Sequence, residues 1–218
     1  MKAVLWDFDG TLADTEVVWG RVQGRFVERH GGSWTTETAH ALVGTSMAET
    51  ADVIAGLLPG RPLTPEAIAA GIELDMIEAF SAGPLPLRPG VAELLAEMVR
   101  LDIPSALVSA SPRALLRVAL SWLGEHPFRF VIGGEDVSRP KPDPEGYLSA
   151  LRRLGVGAGD AVIVEDSVSG TQAANATGAL VVAVPDQVPI GEAPRRVVLP
   201  TLAGVGIDEL HRLWEEHR

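Results

Sequence analysis

The chain has 218 residues, a net charge of −11, 46% hydrophobic and 22% charged residues, and no cysteine. This is globular composition, which excludes disorder, collagen, disulfide scaffolds, thiolate metal sites and cysteine nucleophiles. So acidic a chain has no overall attraction for nucleic acid or an anionic membrane, and an anionic substrate would need a local metal or a few placed cations.

The N-terminal MKAVLWDFDG lacks the long apolar stretch of a secretory leader, and no window approaches the ~20 apolar residues of a membrane span. The sequence thus predicts a cytoplasmic protein with no membrane partner. Ala3 to Phe8 is a short apolar run broken by Asp7, Asp9 and Gly10, the pattern of a buried parallel strand entering a loop. From Asp14 to Ser81 the pattern turns helical. Val18, Val22, Phe26 and Val27 recur at helical spacing and Gly31-Gly32 ends that run. Helices are predicted from Glu37 to Val43, Met47 to Leu58 and Pro65 to Phe80, the last two separated by Pro59-Gly60 and Pro62. No strand is predicted in this region.

Gly83, Pro84, Pro86 and Pro89 mark a linker. Beyond it, strands and helices alternate. Val91, Leu94, Leu95 and Met98 mark a helix, Ser105 to Val108 a strand, and Ser111-Pro112 a helix N-cap with proline at its first position. Then come a strand at Phe130 to Ile132, a helix over Pro144 to Leu154, a strand at Ala161 to Val164, a helix from Val168 to Gly178 and a strand at Leu180 to Val184. A last strand at Val197 to Leu199 and a helix over Asp208 to His217 close the chain. Such alternation predicts a Rossmann-like parallel sheet with helices on both faces. The helical stretch interrupts it, which gives an α/β core of residues 1–14 and 84–218 and an inserted all-α cap domain over 15–83.

Ligands of open α/β sheets bind beyond the carboxyl ends of the strands. Asp7, Asp9 and Thr11 follow the first strand and Ser109 and Ala110 the second. Glu165, Asp166 and Ser167 follow the Ala161 strand, and Lys141 sits in the loop Arg139-Pro140-Lys141-Pro142-Asp143-Pro144. Of 18 basic residues only Lys2 and Lys141 are lysines, so Lys141 stands out. Carboxylates crowded into one pocket repel one another and call for a cation. Oxygen-only ligands favour magnesium, which keeps waters and accepts substrate phosphate. A carboxylate can also be a nucleophile that forms an aspartyl phosphate. The set therefore predicts a phosphoryl-transfer site.

DFDGTLADTE at Asp7 to Glu16 resembles the first motif of the haloacid dehalogenase superfamily. VSAS at 108–111, RPKPDPEGY at 139–147 and VEDSVSGTQAANATGA at 164–179 resemble its second, third and fourth motifs. The insert after the first motif is similar to the small helical cap of the β-phosphoglucomutase and phosphoglycolate phosphatase subfamily. The resemblance implies that Asp7 attacks phosphorus, and that Asp9 protonates the leaving alcohol, activates water and lends its backbone carbonyl to magnesium. It implies that Asp166, with Glu165 beside it, completes the metal site. Ser109 and the backbone amides of Gly10, Thr11 and Ala110 would bind phosphoryl oxygens, and Lys141 would bridge Asp7 and the phosphoryl group.

The other candidates read more plainly. Thr15 and Glu16 read as hinge residues, Trp19 and Trp34 as cap core, and Arg113 as a solvated helix residue. Gly170, Ala173, Ala174 and Ala176 read as packing against the sheet. The function expected is a magnesium-dependent phosphatase of small phosphorylated metabolites, of sugar phosphate or phosphoglycolate type. Its alternatives are a phosphomutase with the same cap and a phospho-accepting signalling module. Against the mutase, the position of its cap histidine falls at Trp19, and no arginine occurs between Arg29 and Arg61.

Overall fold

The structure is a computed structural model that describes residues 1–42, 45–60 and 63–218. Six strands form one sheet in the order β3-β2-β1-β4-β5-β6. They are β1 (Ala3–Trp6), β2 (Ser105–Val108), β3 (Phe128–Ile132), β4 (Ala161–Glu165), β5 (Leu180–Ala183) and β6 (Arg196–Val198). All neighbours pair in parallel. The four central strands are buried at every residue, which accounts for their unbroken apolar runs.

Side chains alternate between the two faces. Val4, Trp6, Val162 and Val164 join one core cluster, while Leu5, Ala161 and Ile163 join the other. The second face is covered by α7 (Glu145–Leu154) and α8 (Val168–Ala176), through Tyr147, Ala150, Leu151, Ala173 and Ala174. The first is covered by α5 (Val91–Arg100), α6 (Arg113–Ser121) and α9 (Ile207–Glu216), through residues such as Leu94, Leu115 and Leu210. Each such aliphatic side chain contributes about 1.5–3 kcal/mol on burial.

Between β1 and α5 stand α1 (Glu16–Arg29), α2 (Thr36–Ala41), α3 (Met47–Leu57) and α4 (Pro65–Ser81), with no strand among the described residues. The starts of α2, α3 and α4 follow capping rules, whereas α1 has no side-chain cap bond at Thr15. Thr35, Ser46 and Thr64 each accept the backbone N–H of the third helical residue, and Ser46 and Glu49 form a reciprocal capping box. Phe80 of α4 meets Phe8, just past the end of the central β1, edge to face with ring centroids 6.3 Å apart. The Val43 end of the second predicted helix and the Pro62 breaker lie outside the described residues.

Three local expectations change. β3 begins at Phe128 rather than Phe130, because a register shift at Ser105/Ala106 lets Phe128 pair early. β6 is Arg196–Val198, one residue before its expected start. Ser111 does not cap α6. Pro112 occupies the N-cap without a side-chain bond, and Ser111 Oγ instead donates to Asp9 Oδ2 at 2.6 Å. The Arg113 N–H at that helix start is bound by the Glu135 carboxylate, at 3.1 and 3.2 Å.

Topology fixes where a ligand binds. From the central β1 the chain goes to β2 and β3 on one side and to β4, β5 and β6 on the other. The crevice at this switch point opens beyond the carboxyl end of β1, between the loops after β2 and β4. Among the described residues, no helix is long and apolar enough to cross a membrane.

Candidate active site

At the end of β1 the Asp7 N–H still pairs with Val164 O, at 3.0 Å. The side chain is therefore carried on sheet backbone rather than on a free loop. Asp7 is 6% exposed. Lys141 Nζ reaches across to donate to Asp7 Oδ1 at 2.5 Å, to Glu165 Oε1 at 2.6 Å and to Val108 O at 3.2 Å. Burial opposes the Lys141 charge, but the two carboxylates outweigh it and hold the ammonium well above its usual pKa. For Asp7 burial dominates: desolvation raises its pKa to about 8, Lys141 opposes this, and Glu165 and Asp9 add to it. Asp166 is likewise pushed well above its usual value, first by burial and then by Asp7 and Glu165.

Glu165 lies fully buried beneath the crevice. Its Oε1 accepts from Lys141 and, at 2.8 Å, from the Tyr147 hydroxyl. Its Oε2 accepts the N–H groups of Asp166 and Ser167 and the Ser167 hydroxyl, at 3.0 to 3.1 Å. An ionised carboxylate offers about four lone-pair sites, and these contacts fill them. Gly170 is needed here, because a Cβ on it would stand 1.8 Å from Glu165 Oε1. The expectation that Gly170 serves helix-on-sheet packing is thus refined: α8 closes on a carboxylate. Ala173 and Ala174 do pack on the sheet, whereas Ala176, expected to do the same, is exposed at the end of α8.

Asp166 accepts the Thr11 hydroxyl at 2.7 Å and abuts Gly10. Gly10 has φ +77° and leaves no room for a Cβ, which would stand 2.3 Å from Asp166 Oδ2. Its N–H is spent on Ala13 O at 2.9 Å, so Gly10 admits Asp166 and has no amide left to offer a phosphoryl group. One carboxylate oxygen each from Asp7, Glu165 and Asp166 lies within 4.8 Å of the others. All are hard oxygen donors, Asp7 and Glu165 buried and Asp166 half-buried, and the set fits a cation such as magnesium. Because Glu165 is saturated, Asp7 and Asp166 have the free lone pairs.

Asp9 is gripped from two sides. Thr15 Oγ1 and Trp19 Nε1 both donate to its Oδ1 at 2.8 Å. Ser111 donates to Oδ2 at 2.6 Å and Ser109 at 3.3 Å, while Ser109 Oγ accepts the Ser111 N–H at 2.9 Å. Trp19, expected in the cap core, thus touches the site; Trp34 packs against Gly24 as core. Thr15 is fully buried and bonded to Asp9. Arg113 is solvated and pairs with Glu135 and Asp136 at 3.3 Å.

Asp7, Asp9, Ser109, Ala110, Lys141 and Asp166 line one crevice with residues of α1, α3 and their connection. Gly10, Thr11 and Glu165 lie behind it. Sequence reasoning missed Trp19, Ser111 and Tyr147 as partners of the acids. A signal existed for two of them: Ser109 and Ser111 flank one alanine, and Tyr147 lies six residues past Lys141. The wall from α1 to α3 carries Glu16, Gln23 and Glu49 and, among the described residues, no lysine or arginine. Glu16 is raised to about 7, by burial first and then by Asp9, Asp186 and Asp14.

A model of the family haloacid dehalogenase-like hydrolase matches residues 4–184. The phosphorylated carbohydrates phosphatase of Thermotoga maritima is 32% identical over 190 residues, covering 82% of this chain and 82% of that protein. The bifunctional riboflavin kinase/FMN phosphatase of Arabidopsis thaliana is 29% identical over 186 residues; the match covers 84% of this chain but only 48% of that longer protein. Among solved structures, CbbY from Rhodobacter sphaeroides in complex with phosphate superposes with a TM-score of 0.87 at 28% identity. It covers 97% of this chain and 99% of that one.

Proposed function

The chain belongs to the haloacid dehalogenase-like hydrolase family, and from that premise we propose that it removes phosphate from small phosphorylated metabolites through an aspartyl phosphate on Asp7. It is an enzyme, a phosphoric monoester hydrolase. The observation that carries the mechanism is the joining of Asp7, Lys141 and Asp166 at the switch point of the sheet. Lys141 occupies Asp7 Oδ1, which leaves Oδ2 to attack phosphorus. Magnesium, held by the Asp7 and Asp166 carboxylates and the Asp9 carbonyl, would supply positive charge that lets a phosphate dianion enter an acidic crevice.

Each step has a residue on hand. As Asp7 Oδ2 bonds to phosphorus, the bond to the leaving oxygen breaks, and Asp9 gives that oxygen its proton. Ser109 and the backbone amides of Thr11 and Ala110 hold the phosphoryl oxygens. Asp9, now a carboxylate, takes a proton from water as the water attacks phosphorus, and the products are inorganic phosphate and free Asp7. Proton transfer of this kind is worth about 10²–10⁴ in rate. Glu165 acts through Lys141 and the Asp166 loop rather than on the metal. Residues 15–83 form the cap, which covers the crevice and meets the leaving group. A charged, membrane-impermeant substrate of this kind fits a cytoplasmic enzyme.

The wall is acidic and, among the described residues, has no lysine or arginine; this supports hydrolysis over phosphate transfer between sugar positions, since a bisphosphate would need positive charge there. Phosphorus NMR on glucose 1-phosphate with magnesium should show inorganic phosphate as the product, with no bisphosphate activator needed. Glucose 6-phosphate appearing faster than phosphate would mean a mutase.

A further inference from the structure

The donors on Asp9 divide by origin. Ser109 and Ser111 stand on the loop after β2, whereas Thr15 and Trp19 stand at the start of the inserted helices. With all four in place, both oxygens of Asp9 have two donors and no lone pair remains for a leaving oxygen. Productive binding must therefore displace one of them. Ser109 is the longest contact, at 3.3 Å, and its hydroxyl is the one claimed by a phosphoryl oxygen. Once it turns away, Oδ2 keeps Ser111 and gains one open position. Oδ1 stays pinned by Thr15 and Trp19, so the carboxylate cannot rotate to offer its other edge.

We propose that Trp19 is a positioning residue for the proton donor: its indole N–H, delivered by α1, fixes Asp9 Oδ1 so that Oδ2 faces the leaving oxygen. The proposal rests on the phosphatase reading and deepens it. Trp19 also lines the crevice, so the same side chain bounds the space for the leaving group and aligns the acid that serves it. A cap that sits out of register would withdraw the indole and leave the acid misaligned, which links the cap's placement to the chemistry.

Trp19→Phe keeps an aromatic ring and removes the N–H. The measurement is the single-turnover rate of Asp7 phosphorylation from two substrates. With a sugar phosphate, whose alkoxide leaves only when protonated, the rate should fall roughly ten-fold or more, a part of what general acid catalysis supplies. With dinitrophenyl phosphate, whose leaving oxygen needs no proton, it should stay within about two-fold of wild type. The second substrate also reports folding, since a misfolded variant loses both activities. Equal losses on both substrates, or no loss on the sugar phosphate, would overturn the role of Trp19. A wild-type protein that releases phosphate from neither substrate overturns the phosphatase reading itself.

Discussion

Lys141 sets the charge balance of the site: one buried ammonium faces two carboxylates at 2.5 and 2.6 Å, and Asp166 adds a third within reach of both. Removing one partner of a buried pair costs about 3–5 kcal/mol, because the other charge is left uncompensated. The two aspartates of β1's loop differ in surroundings and so in role. Asp7 is buried and held by a cation; Asp9 is held by four neutral donors, of which the long Ser109 contact must give way before its Oδ2 can serve a substrate oxygen. Asp9→Asn should therefore still let Asp7 attack an activated aryl phosphate, with hydrolysis of the phosphoenzyme slow. Rapid-mixing kinetics should show a burst of about one product per enzyme followed by a rate lower by roughly 10²–10⁴. Wild-type-like steady turnover, or no burst at all, contradicts the assignment. Asp7, Asp9, Lys141 and Asp166 were legible because each follows a strand or sits in a proline-framed loop. Trp19 was not, because indole at helical spacing reads as core until the tertiary contact to Asp9 is seen.

At the level of elements, the site depends on how closely α8 meets β4. Gly170 lies against the Glu165 carboxylate, and a methyl group there would overlap it at 1.8 Å. Relief requires moving either the helix or a fully buried acid that anchors Lys141. Gly170→Ala should lower stability by about 1–3 kcal/mol, as overpacking does. It should also cut phosphatase activity more than ten-fold, roughly one 1.4 kcal/mol step, by shifting Lys141. Thermal melting and phosphate release on the same preparation check both; an active, wild-type-stable variant would show that the contact relaxes freely. The strands and most helices were readable from apolar runs and caps. The start of α6 was not, because Ser111 satisfies both the capping rule and the pull of Asp9, and the carboxylate wins while Glu135 takes over the helix start. The early start of β3 was hidden for a similar reason: it follows from a register shift against β2, which is not a local property.

For the whole molecule, the acid cluster couples stability to pH and to metal. Asp7 ionises near pH ~4 in an unfolded chain but at about 8 in the metal-free fold. Between those values the fold keeps a proton that the unfolded chain has lost, so metal-free stability should fall as pH rises across that window. Magnesium needs the ionised form and competes with the proton; at a hundred times its Kd it adds about 2.7 kcal/mol. Denaturant midpoints should therefore separate further, with and without magnesium, at pH 8 than at pH 5, and an equal separation would contradict the burial of Asp7. The parallel sheet and the helical insertion were legible as alternation and its interruption. The meeting of α1 with Asp9 was not, since it depends on how the inserted helices settle on the core. In the proposed reaction every phosphate passes through Asp7. Acid-quenching the enzyme during turnover of a phosphomonoester with magnesium, then sequencing its peptides by mass spectrometry, tests it directly. One phosphoryl group is expected on Asp7, formed and lost within the turnover time and absent when metal is chelated. Full turnover with no phosphate on Asp7, or with magnesium removed, would contradict it.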